Sequence, residues 1–224
     1  MARIALRVPR VRCVDETGGS FAERFGNDEI YLGAVYVLVN ANKSFTVTTT
    51  GSKLVGNNFD DGETVNWNRD LFNFDLGDPS VLPYPKAVVA ALVLAEHDAG
   101  NGRNAFLEKM AAEFGAKLRA TNLDAIISRP AGGGGTAVAP AAAPAFAVEA
   151  LKEFAKETIK EIGKKLISTA RAWVGDDIFE PQQKSLDIPS PTHTWNGSRQ
   201  TPEEVVRFVG HKGTYDVTML WRLE

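Results

Sequence analysis

The chain is predicted to be mainly β, an antiparallel β-sandwich with an inserted α-helical hairpin, and three observations lead there. Up to about residue 96, apolar residues alternate with polar ones in short runs broken by Gly, Asn, Asp and Pro clusters, the pattern of strands and turns. Between residues 99 and 174 the apolar spacing becomes helical. From residue 175 onward alternation returns, so the helical stretch interrupts the strands.

Taken in order, Ile4, Leu6 and Val8 alternate with polar or small residues, and residues 31–39 form a β-branched and aromatic run. Residues 45–50, 64–75 and 86–95 continue the theme, separated by clusters such as Gly56-Asn57-Asn58 and Asp78-Pro79-Ser80. Residues 86–95 are nearly all apolar, which predicts a strand covered on both faces. Leu107, Met110, Ala111, Phe114 and Leu118 then follow helical spacing, as do Val148, Leu151, Ala155, Ile159, Ile162, Leu166 and Ala170. On the second helix Glu149, Glu153, Glu157 and Glu161 each precede a lysine by three residues, a spacing that lets oppositely charged side chains meet. Between the helices, residues 131–145 consist of Gly, Ala, Pro, Thr and Val, and read as a mobile linker. Near the end Tyr215, Val217, Met219, Trp221 and Leu223 alternate with Asp216, Thr218 and Arg222 as one face of a final strand. The expected layout is therefore residues 1–98 and 175–224 as one sandwich with residues 99–174 inserted as a helical module, which a short replacement loop should be able to bypass.

Composition narrows the function. With 44% hydrophobic and 24% charged residues in 224, the chain reads as an ordinary soluble globular protein. A net charge of −3 argues against a generic nucleic-acid binder. Residues 103–174 nevertheless hold 11 Lys and Arg against 7 Asp and Glu, so a basic helical module sits on an acidic sandwich. The lone Cys13 excludes an intramolecular disulfide framework. Arginines lie within the first apolar stretch instead of ahead of it, and no apolar run is long enough to cross a bilayer. The expected location is cytoplasmic, or outside the cell by a route without a classical signal peptide.

Carboxylates concentrate at four predicted strand ends: Asp15-Glu16, Asp28-Glu29, Glu96-His97-Asp98 and Asp176-Asp177. Oxygen-rich loops of this kind suit Ca²⁺, a hard cation that takes six to eight oxygen ligands from flexible segments. Here the sequence resembles C2 domains, eight-stranded antiparallel β-sandwiches whose loops at one end bind calcium and then engage phospholipid. Residues 5–39 look like the family's opening, with Asp15 and Asp28 at its first two acidic positions and Tyr31 near its aromatic. VNWNRDLFNFDL at 65–76 is similar to its Trp-Asn-Glu segment and Phe-x-Phe strand, and LVLAEHD at 92–98 to the strand ending in Asp-x-Asp. GDDIFEPQQKSLDI at 175–188 resembles the stretch closing the third loop. The resemblance implies a C2-like fold with residues 99–174 inserted in that loop, and Ca²⁺ held by Asp15, Asp28, Glu96, Asp98 and Asp177, or Asp176 in place of the last. Glu96 departs from the family's aspartate, and the first loop, with Phe21 and Phe25, is longer than usual.

Catalysis finds little support: no Gly-x-Ser-x-Gly elbow, His-Glu-x-x-His or phosphate-binding loop is present. Cys13 could be a nucleophile beside a histidine, or a small core residue. His97 could join a metal site or stand at a strand end. The second helix could pack on the sandwich, or detach and lie on anionic lipid. Two function classes follow. One is a calcium-dependent module that engages an anionic phospholipid membrane or a partner protein, in the manner of a membrane-active or toxin-like protein. The other is a metal-independent structural or assembly protein. Neither is an enzyme or binds nucleic acid, and homo-oligomerisation is left open.

Overall fold

The structure, a computed structural model, describes residues 1–15, 28–97, 102–127, 143–169 and 176–224. In chain order these form β1 (Arg3–Asp15), β2 (Asp28–Asn40), β3 (Phe45–Thr49), β4 (Lys53–Phe59), β5 (Thr64–Val65), β6 (Arg69–Asp75) and β7 (Lys86–His97). Three helices follow, α1 (Gly102–Ala120), α2 (Leu123–Ile127) and α3 (Ala143–Ser168), and then β8 (Asp176–Ile178), β9 (Gln182–Ile188), β10 (Glu204–Gly210) and β11 (Gly213–Leu223).

The strands build two antiparallel sheets. In one, β10, β11 and β1 lie side by side, and β5 and β6 share the free edge of β1. In the other, β2 and β7 are central, β3 and β4 share the outer edge of β2, and β8 and β9 share the outer edge of β7. Eleven segments thus lie in four rows per sheet. The eight expected strands differ from eleven segments because three edge rows are each broken in two. In the row of β5 and β6 the break turns Trp67 inward, where its Nε1 donates to the Leu54 carbonyl at 3.0 Å, and puts Asn68 at φ 50°.

Alternation decides which side chains meet. On β7 the even positions Val88, Ala90, Leu92 and Leu94 face the other sheet, joining Leu6, Val11, Leu32, Phe179, Tyr215, Val217 and Trp221 in the core between the sheets. The odd positions Ala87, Val89, Ala91, Val93 and Ala95, with Val35, Val37 and Val39 of β2, face outward. That outer face is covered by Phe106, Leu107, Met110 and Phe114 of α1 and Leu151, Ala155, Ile159 and Ile162 of α3. The strand expected to be covered on both faces is so covered, and the molecule has three layers, helices on sheet on sheet. α1 seats closely because Gly33 offers no Cβ: one built there would stand 2.5 Å from Leu107 Cδ1.

The basic amphipathic helix α3 therefore packs, and Lys152 fastens it. Its Nζ pairs with Glu149 at 2.6 Å and with Asp187 of β9 at 2.9 Å. Burial alone would lower the Lys152 pKa, but the hydrogen bonds it donates to Glu149 and Asp187, with the charge of both carboxylates, outweigh it and leave the pKa above the ordinary lysine value. Of the expected pairs along α3, Glu149 with Lys152 and Glu153 with Lys156 form. Glu161 instead takes Lys117 of α1, and Lys164 reaches Glu180 at 3.8 Å.

Two boundaries differ from the sequence reading. The linker expected over 131–145 gives way to α3 at Ala143, because Pro144 is compatible with a first helical turn, where no intrahelical bond needs its missing N–H; residues 131–142 lie outside the described residues. Gly56-Asn57-Asn58, read as a separator, lies within β4. Its glycine serves packing: a Cβ on Gly56 would stand 2.9 Å from the Phe59 ring. At the start of β7 the fully buried Lys86 donates to the Leu76 carbonyl and sits 4.9 Å from the Tyr84 ring centroid. Burial lowers its pKa, against the opposing pull of Asp75.

Candidate functional site

Backbone pairing gathers the acidic strand ends at one end of the sandwich. β2 begins there with Asp28 opposite Phe59, immediately before Asp60 and Asp61. β1 ends there with Asp15 opposite Thr214, and the 60–63 turn is tied to it by hydrogen bonds between Cys13 and both Gly62 and Glu63. β7 ends there with Glu96 opposite both Ile30 of β2 and Asp177 of β8. Directly opposed residues point to the same face, so Ile30, Glu96 and Asp177 all face the space between the sheets. Glu96 is buried, at 6% exposure, while the Asp177 side chain is 45% exposed at the rim.

His211, in the turn between β10 and β11, reaches across to this pair. Its Nδ1 is 3.3 Å from Asp177 Oδ1 and its Nε2 is 3.1 Å from the Ile178 carbonyl. Both partners are acceptors, so both contacts are satisfied together when each ring nitrogen carries a proton, as in imidazolium. The ring also stands edge-on to Phe179, with centroids 5.4 Å apart.

The turn that presents it is strained. Gly210 pairs with Gly213, leaving His211 and Lys212 as a two-residue loop with φ of 49° and 64°. Such loops require positive φ at both positions, where glycine and asparagine are at ease and a long side chain is not. Lys212→Gly is expected to stabilise the fold by about 1 kcal/mol, read as a shift in the urea midpoint with an unchanged slope. A loss of stability would show that Lys212 has an energetic role beyond the turn.

His97 faces the other way. It lies on the outer face, where Arg103 of α1 donates Nη1–H to its Nδ1 at 2.9 Å. Arginine only donates, so Nδ1 is the acceptor in this contact. The Arg103 guanidinium stands 3.8 Å from the Tyr31 ring centroid, and Tyr31 is edge-on to His97. This cluster pins the start of α1 to the sheet and puts His97 on the opposite face from Glu96. Cys13 is fully buried among core side chains, the place of a small core residue.

Of the five expected ligands, the structure brings Glu96 and Asp177 side by side and leaves Asp15 exposed at the end of the facing sheet. Asp98 lies outside the described residues, as do the side chains of Asp28 and Asp176. Among the described residues no group of three His, Cys, Asp or Glu side chains is placed to hold a metal ion. Sequence reasoning passed over His211 as one of three dispersed histidines. The usable signal was its place in a Gly-His-Lys-Gly turn between two alternating runs.

A cleft of about 660 Å³ lies elsewhere, between β3 and α1, and is lined mainly by Phe45, Val47, Ala111, Gly115, Leu118 and Leu123. Its apolar walls and single charged neighbour, Arg119, offer no acid–base pair. No described helix is long and apolar enough to cross a membrane. Comparison of the chain with protein-family models, curated proteins and solved structures gave no match, so the functional reading rests on the residues themselves.

Proposed function

We propose that this chain is a non-enzymatic, C2-like binding module whose acidic end takes Ca²⁺ and thereby engages an anionic phospholipid surface or a partner protein. The observation that carries the reading is the register of β7 on β8, which sets Glu96 directly opposite Asp177. Like charges so placed repel, and a cation between them removes the repulsion. His211 contacts Asp177, while Asp15, Asp28 and Asp98, supplied by strand ends and loops of the same end, complete the proposed ligand set. Two antiparallel sheets of four rows, with the helical segment joining β7 to β8, also support the C2-like reading and an insertion in the third loop.

Thermal unfolding in chelator and in millimolar calcium tests it. Calcium bound only by the folded state is expected to raise the melting temperature by mass action, and Glu96→Gln with Asp177→Asn to abolish the rise. Co-sedimentation with phosphatidylserine vesicles is expected to require calcium. An identical melting temperature in calcium and chelator would remove the cation from the reading. The second reading, a metal-independent assembly protein, is favoured by one observation of its own: β10 borders its sheet with Val205 and Val209 exposed at 57% and 65%.

A further inference from the structure

We infer that β10 is a docking strand for a second copy of this chain, pairing antiparallel with the partner's β10 about a two-fold axis at Arg207. The argument starts from the turn. In a two-residue hairpin the flanking residues, here Gly210 and Gly213, exchange hydrogen bonds, and the pattern then alternates along the ladder. Phe208, Val206 and Glu204 therefore direct their N–H and C=O groups toward β11, while Val209, Arg207 and Val205 direct theirs to the open edge. Among the described residues, no strand is hydrogen-bonded to that edge; β9 of the other sheet approaches β10 through the Lys184–Glu204 pair at 2.7 Å.

These three residues are self-complementary. With the axis at Arg207, Arg207 meets the partner's Arg207 and Val205 meets the partner's Val209 twice, so every outward group finds a partner in one register. The two exposed valines are equidistant from the centre and meet as apolar cross-strand pairs, which the alternation places on the outer face of the sheet.

Charge at the centre is met in advance. Arg207 Nε and Nη2 each donate to the Asp216 carboxylate at 2.7 Å, a two-pronged pair on the same face. Each guanidinium thus arrives with its own counter-charge from β11, so the two arginines that meet at the axis do so as two neutralised pairs and not as bare like charges. Edge strands are commonly blunted by proline, unpaired charge or bulges. β10, Glu-Val-Val-Arg-Phe-Val-Gly, holds no proline, its arginine is neutralised, and its ladder on β11 runs without a register shift. Three outward residues make a small contact, so the dimer is weak and governed by concentration.

Sedimentation equilibrium of the full chain in chelator tests the inference separately from the cation reading. The weight-average mass is expected to rise with concentration from 24.3 kDa toward twice that value. Val209→Pro removes an outward N–H while leaving the ladder to β11 intact, and is expected to hold the mass at the monomer value with the circular dichroism spectrum unchanged. Val205→Lys with Val209→Lys is expected to do the same by like-charge repulsion, and serves should the proline variant misfold. A parent chain that stays monomeric at every concentration, or a dimer that both variants leave intact, would overturn the inference; the latter would locate the contact on another surface.

Discussion

Replacement of residues 102–169 by a short Gly/Ser linker is expected to abolish the cooperative fold. On sequence grounds the helical segment looked removable, since loop-closure entropy changes slowly with length. The three-layer packing reverses that expectation. Removing α1 and α3 would expose the outer sides of Val35, Val37, Val39, Val89 and Val93, all now within 2% of complete burial. Full exposure of a valine-sized side chain costs about 1.5–3 kcal/mol, so five of them rival the whole stability of an ordinary domain, roughly 5–15 kcal/mol. The shortened chain is expected to aggregate or to lose its thermal transition, checked by light scattering and circular dichroism. A soluble chain with a sharp transition would show that the sandwich stands without its outer layer.

Phe179→Ala is expected to cost about 3–5 kcal/mol, the range for truncating a fully buried aromatic. The ring lies edge-on to Tyr215, with centroids 5.6 Å apart, and forms the floor beneath His211. Its neighbours cannot close the gap easily, because a Cβ on Gly210 would already stand 3.3 Å from Phe179 Cδ1 and the strands beside it are held by their ladders. Urea unfolding measures the cost, and Val81→Ala, at a loop position 68% exposed, is the control expected to change stability by less than about 0.5 kcal/mol. A loss below about 1 kcal/mol for Phe179→Ala would mean that the core under the site collapses readily.

The legible parts of this fold were the strands whose burial, on one face or on both, continues along their length. β1, β2, β7 and β11 carry long apolar alternations or continuous apolar runs, and their positions followed from the pattern. β9 was harder, because in Gln182–Ile188 only Leu186 and Ile188 are buried. β4 was hidden by Gly56 and two asparagines, residues that ordinarily mark a turn. For the helices, amphipathicity identified the buried face but not its partner, since the same stripe would suit a lipid surface. At the site, the clustering of acids at strand ends was visible, but the direct opposition of Glu96 and Asp177 depends on register. A slip of one residue would have put Glu96 on the outer face with Arg103, and nothing local in the sequence sets that register.

The two central pairings of the molecule differ greatly in the length of chain they close. Leu38 meets Val88 within one sheet, whereas Ile4 meets Leu223 in the other, with roughly four times as many residues between them. Two doublings of loop length add only about 1.2 kcal/mol of closure entropy, too little to threaten the finished fold. The effect falls on the order of events during folding. The sheet of β2 and β7 can form first, and until α1 and α3 cover one side and the distant β1–β11 pair covers the other, both its faces are apolar and open. The same doubly buried β7 that anchors the finished molecule is thus the segment most exposed to self-association on the way there.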